Sequence, residues 1–388
     1  MTETAVVYTN AEDEEAAARD LSAQIGKELS GPPDALIVFA APRYDHPRLL
    51  GAVQQACAPK ALVGASSAGE FTRETRGEGM ACALALRSDQ MRFTVGIGRG
   101  IQQDRVGVAK GIASTFHGLS SNEFAYRAAL VLTDALAGHA DDLVDQLTLA
   151  TAGKYQFFGG GAGDNAEFQR THVFFGTEAV TDAAVALEIL SHKPLGIGVG
   201  HGWEPASAPM RVTEAQGPRL ISLNGFPAAQ AFSRHAESTG QRLDVAAPIP
   251  FFLQNILGIQ VGEKHRLRVP LAIESDGTVL CAADLPVGAT VAIMRTTANS
   301  AIDAAARATA SALENLQGAK PKVALFFDCV ATRLRLGDVF GYELQAVADK
   351  LGTEVQFAGC NTHGQIARAT GQFGGFHNCT AVVCALPE

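Results

Sequence analysis

Small hydroxyls, carboxylates and amides set on glycine turns are the residues of this chain best suited to chemistry. GASSAGE (Gly64 to Glu70) puts Ser66, Ser67 and Glu70 on one turn, GGGAGDN (Gly159 to Asn165) puts Asp164 and Asn165 on another, and CNTHGQI carries Thr362, His363 and Gln365. Side chains in such positions either hydrogen-bond a polar ligand or brace the local backbone. GASSAGE resembles a serine nucleophile elbow, but two serines stand where G-x-S-x-G has one, and FTRETRGEGMACALAL reads as a hairpin rather than the helix an elbow requires. GGGAGDN lacks the helix that would present N–H groups to a pyrophosphate, because THVFFG reads as a strand.

Of the ten histidines, His201, His363 and His377 are the ones to weigh, and none belongs to an H-x-x-x-H pair. His201 stands beside Trp203, the only tryptophan, and either His201 or His363 is of the type that holds a haem iron axially. The seven cysteines include no C-x-x-C and sit in apolar runs such as MACALAL and VVCAL, so they read as buried free thiols rather than zinc ligands. Asp45, followed by Pro47, reads as a helix cap, whereas Asp328 inside FFDCV needs a partner if buried, with Arg333 or Arg335 as the candidates.

The elements that position these residues recur. Three times the chain writes an apolar strand, a helix, a strand ending in a small-residue turn, and a returning apolar strand: from ALIVF, from AALVLTDA and from VALFFDCV. Aligning the turns on Gly69, Gly163 and Gly364 puts Glu70, Asp164 and Gln365 at one position. Crossover connections deliver neighbouring strand ends to the same sheet edge, so the three turns are expected to share one rim. Between the second and third copies, closely spaced Gly and Pro suggest hairpins leading into a helix, followed by a strand meander around Asp276-Gly277. The expected fold is α/β, two packed domains with mixed sheets built from repeated β-α-β-β units, spanning 1–200 and 201–388.

With 388 residues the chain exceeds the size at which one core stops growing, and 47% apolar with 18% charged residues fits a globular protein. The net charge of -9 comes without any run of basic residues that could neutralise several phosphates, which argues against nucleic acid or anionic membrane as partners. No leader and no apolar stretch near 18 residues is seen, and the expected location is the cytoplasm.

FAAPRYD followed by ALVGASSAGEF resembles the N-terminal module of the FIST family, and LNGFPAAQAF, LPVGATVAIM, VALFFDCVATR, FAGCNTHGQI and FHNCTAVV resemble its C-terminal module in the same order. The resemblance implies a bacterial signal-input module that binds a small ligand such as an amino acid, with haem and nitric oxide sensing as the family's alternative. The family commonly has T-Y-G-E at the last turn, where this chain has Thr362, His363, Gly364 and Gln365. The leading expectation is therefore a sensor without catalytic residues. Its candidate ligand-binding residues are Ser66, Ser67, Glu70, Asp164, Asn165, His201, Trp203, Thr362, His363 and Gln365. No cofactor is required in this reading, and haem on His201 or His363 is its first alternative. A hydrolase-like enzyme using Ser67 or a cysteine as nucleophile is the second. Because the chain ends at its last strand with CALPE, a separate signalling protein in trans, or a homodimer, is expected to carry the output.

Overall fold

Uninterrupted apolar runs become strands buried on both faces, and that requirement organises the molecule. The computed structural model of the chain describes residues 1–368 and 375–388. The first sheet takes the strands in the order Thr2–Thr9, Ala81–Ser88, Ala35–Ala40, Ala61–Ser66. Ala35–Ala40 and Ala61–Ser66 are parallel and joined through the helix His46–Cys57, while Ala81–Ser88 returns antiparallel. The second sheet repeats this order with Met91–Arg99, Ala183–Ser191, Tyr126–Thr133 and Gln156–Gly161, and the third with Gly196–Gly200, Ala381–Pro387, Pro321–Cys329 and Gln356–Thr362. The α/β class with mixed sheets and repeated units is thus as expected.

The repeat is longer than the four elements legible in the sequence. Each unit also begins with an edge strand and a helix: Glu14–Glu28 in the first, Arg105–Ser114 in the second, Ala298–Asn315 in the third. In the third unit a whole layer is inserted between that strand and that helix. It is a nine-stranded sheet with the helix Ala228–Thr239, closed over its own core of Val212, Leu220, Phe232, Phe252, Leu257 and Ile293. The expected Asp276-Gly277 turn lies in it, with Gly277 at φ 84 and the Asp276 carboxylate accepting from Thr278 N–H at 2.9 Å.

The three units are tied in a ring by exchanged hairpins. The second unit's hairpin (Val173–Phe175, Glu178–Val180) extends the first sheet, the third unit's (Gln365–Arg368, Gly375–His377) extends the second, and the first unit's (Glu70–Thr72, Arg76–Gly77) extends the third. Each hairpin covers the N–H and C=O groups that the last parallel strand would otherwise leave open.

Alternating residues divide the core. Ile37 and Phe39 face an interior shared by all three units, whereas Leu36 and Val38 face the first unit's own helices. Phe39, Phe158 and Phe327, one from each unit, meet in the shared interior, with ring centroids 5.6 Å apart for Phe39 and Phe327 and 6.4 Å for Phe158 and Phe327. Each fully buried phenylalanine contributes roughly 1.5–3 kcal/mol. The first unit's helices start on aspartate caps, Asp45 with Pro47 as expected: Asp13 and Asp45 accept from the first-turn N–H groups of Ala16 and Arg48. All seven cysteines are buried and unpaired.

Pairing also fixes the register of the repeats. Gly64 pairs with Val38, Gly159 with Val131, and Gly359 with Phe326. A Cβ at any of these glycines would run into that partner's carbonyl oxygen. The residues that open the exchanged hairpins are equivalent by the same criterion: Glu70 opposite Cys360, Gln365 opposite Gly160, Val173 opposite Ala65. Glu70 and Gln365 are therefore equivalent, as the sequence alignment has them. The second copy is shifted by one residue from that alignment: Gly163 matches Ala68 and His363, and Val173 rather than Asp164 stands where Glu70 and Gln365 stand. A longer loop between turn and hairpin in the second unit accounts for the slip.

Candidate functional site

The three turns meet at the centre of the ring. Ala68 N–H donates to the carbonyl of Asn361 at 2.9 Å, His363 N–H to that of Gly161 at 3.0 Å, and Gly163 N–H to that of Ser66 at 2.8 Å. This closed cycle of backbone bonds fills the middle, so the turns touch each other instead of surrounding one shared hollow.

Most of the turn side chains serve that construction. The Ser67 hydroxyl donates to the Glu70 carboxylate, which also accepts from Met80 N–H at 2.9 Å. Gln365 repeats the brace with an amide: it donates to Thr362 Oγ1 at 2.8 Å and accepts from Thr380 N–H at 3.3 Å. Burial pushes the Glu70 carboxyl up to about 7, against the lowering effect of its Ser67 and Met80 bonds. Ser66 accepts from His172 N–H at 2.9 Å and so anchors the incoming hairpin of the second unit. Asp164 accepts from the N–H groups of Phe168, Gln169 and Arg170 at 3.0, 2.7 and 2.9 Å, folding its own loop. Asn165, at φ 56, donates to the carbonyl of Glu78 at 3.1 Å.

Open space lies outside the centre, in three clefts that follow the repeat. Each lies between one unit's turn or hairpin and the strand-to-helix loop of the unit whose sheet receives that hairpin. The first, about 430 Å³, lies between Glu70–Glu78 and the stretch Arg333–Phe340 of the third unit. The second, about 450 Å³, lies between Asp164–His172 and Pro42–Pro47. The third, about 380 Å³, lies between His363–Gly364 and Ala135–Asp141, and it alone is also walled by the inserted layer, through Val269, Leu271 and Cys281–Asp284.

That third cleft has an apolar body and a few polar points, the usual make-up of a small-molecule site. His363 is only 5% exposed at its side chain, and neither ring nitrogen makes a hydrogen bond; the Asp164 carboxylate is 3.5 Å from Nε2. Burial pushes the imidazole down to about 4, so it is neutral at pH 7. Phe168, at φ 53 and half exposed, stacks on it with ring centroids 4.6 Å apart. The helix Ala140–Ala150 begins at the cleft wall with no side-chain cap on its first N–H groups. Facing it from the inserted layer, Asp284 is held above the ordinary aspartate range by burial. Behind the wall, the buried Arg268 is paired with Asp141 at 2.5 Å. Cys329 lines the floor, its thiol held down to about 6 by a hydrogen bond with Cys379.

His201 and Trp203 lie away from the turns, His201 in a smaller cleft with Lys264 and His265 and Trp203 in an apolar cluster. The Arg335 guanidinium sits 5.6 Å from the centre of the Trp203 ring. As placed, His201 does not fit axial haem ligation, because both of its ring nitrogens are engaged. His201 Nε2 meets the His265 carbonyl at 3.1 Å and its Nδ1 accepts from Trp203 N–H at 3.3 Å. Among the described residues, no group of three or more His, Cys, Asp and Glu is arranged to hold a metal ion. No helix among the described residues is long and apolar enough to cross a membrane.

Arg333 is spoken for by Glu78 rather than by Asp328, whose Oδ2 is buried without a hydrogen-bond partner. Burial and the neighbouring Glu343 hold the Asp328 carboxyl well above the ordinary range. Sequence reasoning missed Glu78, Asn361, Phe168 and Asp284. Asn361 was within reach, because it directly precedes Thr362 and matches Ser66 in the repeat.

No curated protein matches the chain. A solved structure of a cyanuric acid hydrolase from A. caulinodans is similar at 8% identity over 99% of each chain, with a TM-score of 0.33. The FIST N domain matches residues 34–225 and the FIST C domain matches residues 228–368. Together they cover most of the chain, which therefore belongs to the FIST family of sensory domains, whose role is small-molecule sensing in signalling.

Proposed function

We propose that the chain senses an amino-acid-like metabolite in the cleft between His363, the start of the helix Ala140–Ala150 and the inserted layer. The observation that carries this reading is the buried, neutral His363 imidazole, which makes no hydrogen bond although it lines a cavity of ligand size. A buried polar group without a partner costs about 1–3 kcal/mol, and a ligand that supplies the partner recovers it. The uncapped N–H groups at Ala140 and Asp141 suit a carboxylate, Asp284 suits an ammonium, and the wall of Ala135, Leu136, Val269 and Leu271 suits an apolar side chain.

The cleft is assembled from the second unit, the third unit and the inserted layer. A ligand that holds them together better in one arrangement than in another shifts the population between arrangements. A separate signalling protein reads that shift in this proposal. Isothermal titration with the set of natural amino acids tests it. At least one is expected to bind, with Asp284→Asn and His363→Ala each weakening it about tenfold, near 1.4 kcal/mol. Absence of heat and of any melting shift with every member of the set would overturn the reading.

A further inference from the structure

We propose that the cleft under the first unit's hairpin is a second, separate site for a small carboxylate, and that Glu78 fills it as a built-in stand-in. The Arg333 side chain is 10% exposed, while the Glu78 side chain that pairs with it is 64% exposed. A buried guanidinium needs an anion and acceptors along its fork. Here the only anion paired with it among the described residues reaches in from an exposed turn, and Arg333 Nε is buried without an acceptor. The Asn361 amide, 1% exposed in the same cleft, also has Nδ2 buried without an acceptor.

Two buried donors, on residues that line a cavity of about 430 Å³, therefore lack an acceptor. A free carboxylate can take the fork of Arg333 with one oxygen and the Asn361 amide with the other once Glu78 swings out. Glu78 is free to do so: its side chain makes no other hydrogen bond or ion pair among the described residues, and its backbone is held by Asn165. Arg76 and Asp338, also at the cleft, are joined through the Asp338 carbonyl at 3.1 Å. Because Glu78 belongs to the FIST N match and Arg333 and Asn361 to the FIST C match, exchanging the internal carboxylate for an external one cuts a tie between the two.

Calorimetric titration of the full chain with succinate and with inorganic phosphate tests the proposal. Succinate is expected to bind the wild type weakly, and Glu78→Gln about tenfold tighter, because the competing carboxylate is gone. Asn361→Ala, made in the Glu78→Gln background, is expected to reverse most of that gain. Phosphate is expected to bind Glu78→Gln at least tenfold more weakly than succinate. Glu78 stands on an exposed turn, so its substitution leaves a folded protein to measure. Equal succinate affinity in wild type and Glu78→Gln, no succinate binding to either, or phosphate binding as tight as succinate would each overturn the proposal.

Discussion

The turns of the first and third units solve one problem with different chemistry. Ser67 and Glu70 brace the return strand with a hydroxyl and an acid, and Thr362 and Gln365 brace it with a hydroxyl and an amide. The second unit does without the brace, having Ala162 and Val173 at the matching positions. Both braces hold backbone N–H groups, so the acid-to-amide change at Gln365 alters a structural joint. The buried atoms left without a hydrogen bond, both ring nitrogens of His363, Nε of Arg333 and Nδ2 of Asn361, lie beside the braces. Most of the polar side chains at the glycine turns therefore hold backbone together, and His363 is the exception among them.

The largest expected effect tests whether the units are equivalent at all. Gly64→Ala, Gly159→Ala and Gly359→Ala each force a methyl group against a neighbouring carbonyl. Each is expected to cost about 3 kcal/mol in urea unfolding. One of the three being tolerated would break the register on which the comparison rests.

A smaller effect separates acid from amide. The folded state holds the Glu70 proton up to about 7, against 4.5 ordinarily, so it binds that proton more tightly than the unfolded chain does. The stability this contributes is complete below pH 4.5, erodes as pH rises, and is gone above about 7. Glu70→Gln removes the slope, so between pH 5 and pH 8 the variant should gain on the wild type by at most about 3 kcal/mol. Gln365→Glu should add a slope of the same sign. A Gln365→Glu curve that ran parallel to wild type while Glu70→Gln lost its slope would show that the two joints sit in different surroundings.

The smallest effect sharpens the parallel. Glu70→Ala and Gln365→Ala each strand a backbone donor, Met80 N–H in one case and Thr380 N–H in the other. Chemical denaturation should show a similar loss for both, about 2 kcal/mol.

Much of this architecture is legible in the residues. Runs such as ALIVF and VALFFDCV announce their strands, and Asp45 with Pro47 announces its helix. The edge strand and helix that open each unit are not so plain, since Arg105–Ser114 has a weak apolar stripe and Ala298–Asn315 is separated from Gly196–Gly200 by the inserted layer. Periodicity says that Glu70–Thr72 is extended but not that it pairs with Gln356–Thr362, because pairing is settled by which edge lies open in space. The one-residue slip at Gly163 has the same root: a glycine was matched to a glycine, whereas carbonyl contact at Gly159 sets the true alignment. Glu70 and Gln365 were found by position, and their role depended on partners, Met80 and Thr380, that only folding brings near.

The exchanged hairpins give the molecule an order of assembly. The third sheet is finished by Glu70–Thr72 and Arg76–Gly77, made before any of that sheet's own strands, while the second is finished by Gln365–Arg368 and Gly375–His377, made after all of that sheet's own. A ribosome must release the second unit and most of the third before the clasp between them can shut, and until then the second sheet carries an unfinished border. Once shut, the loop of clasps has no first or last member, and loosening any one of them is felt by its neighbours on both sides.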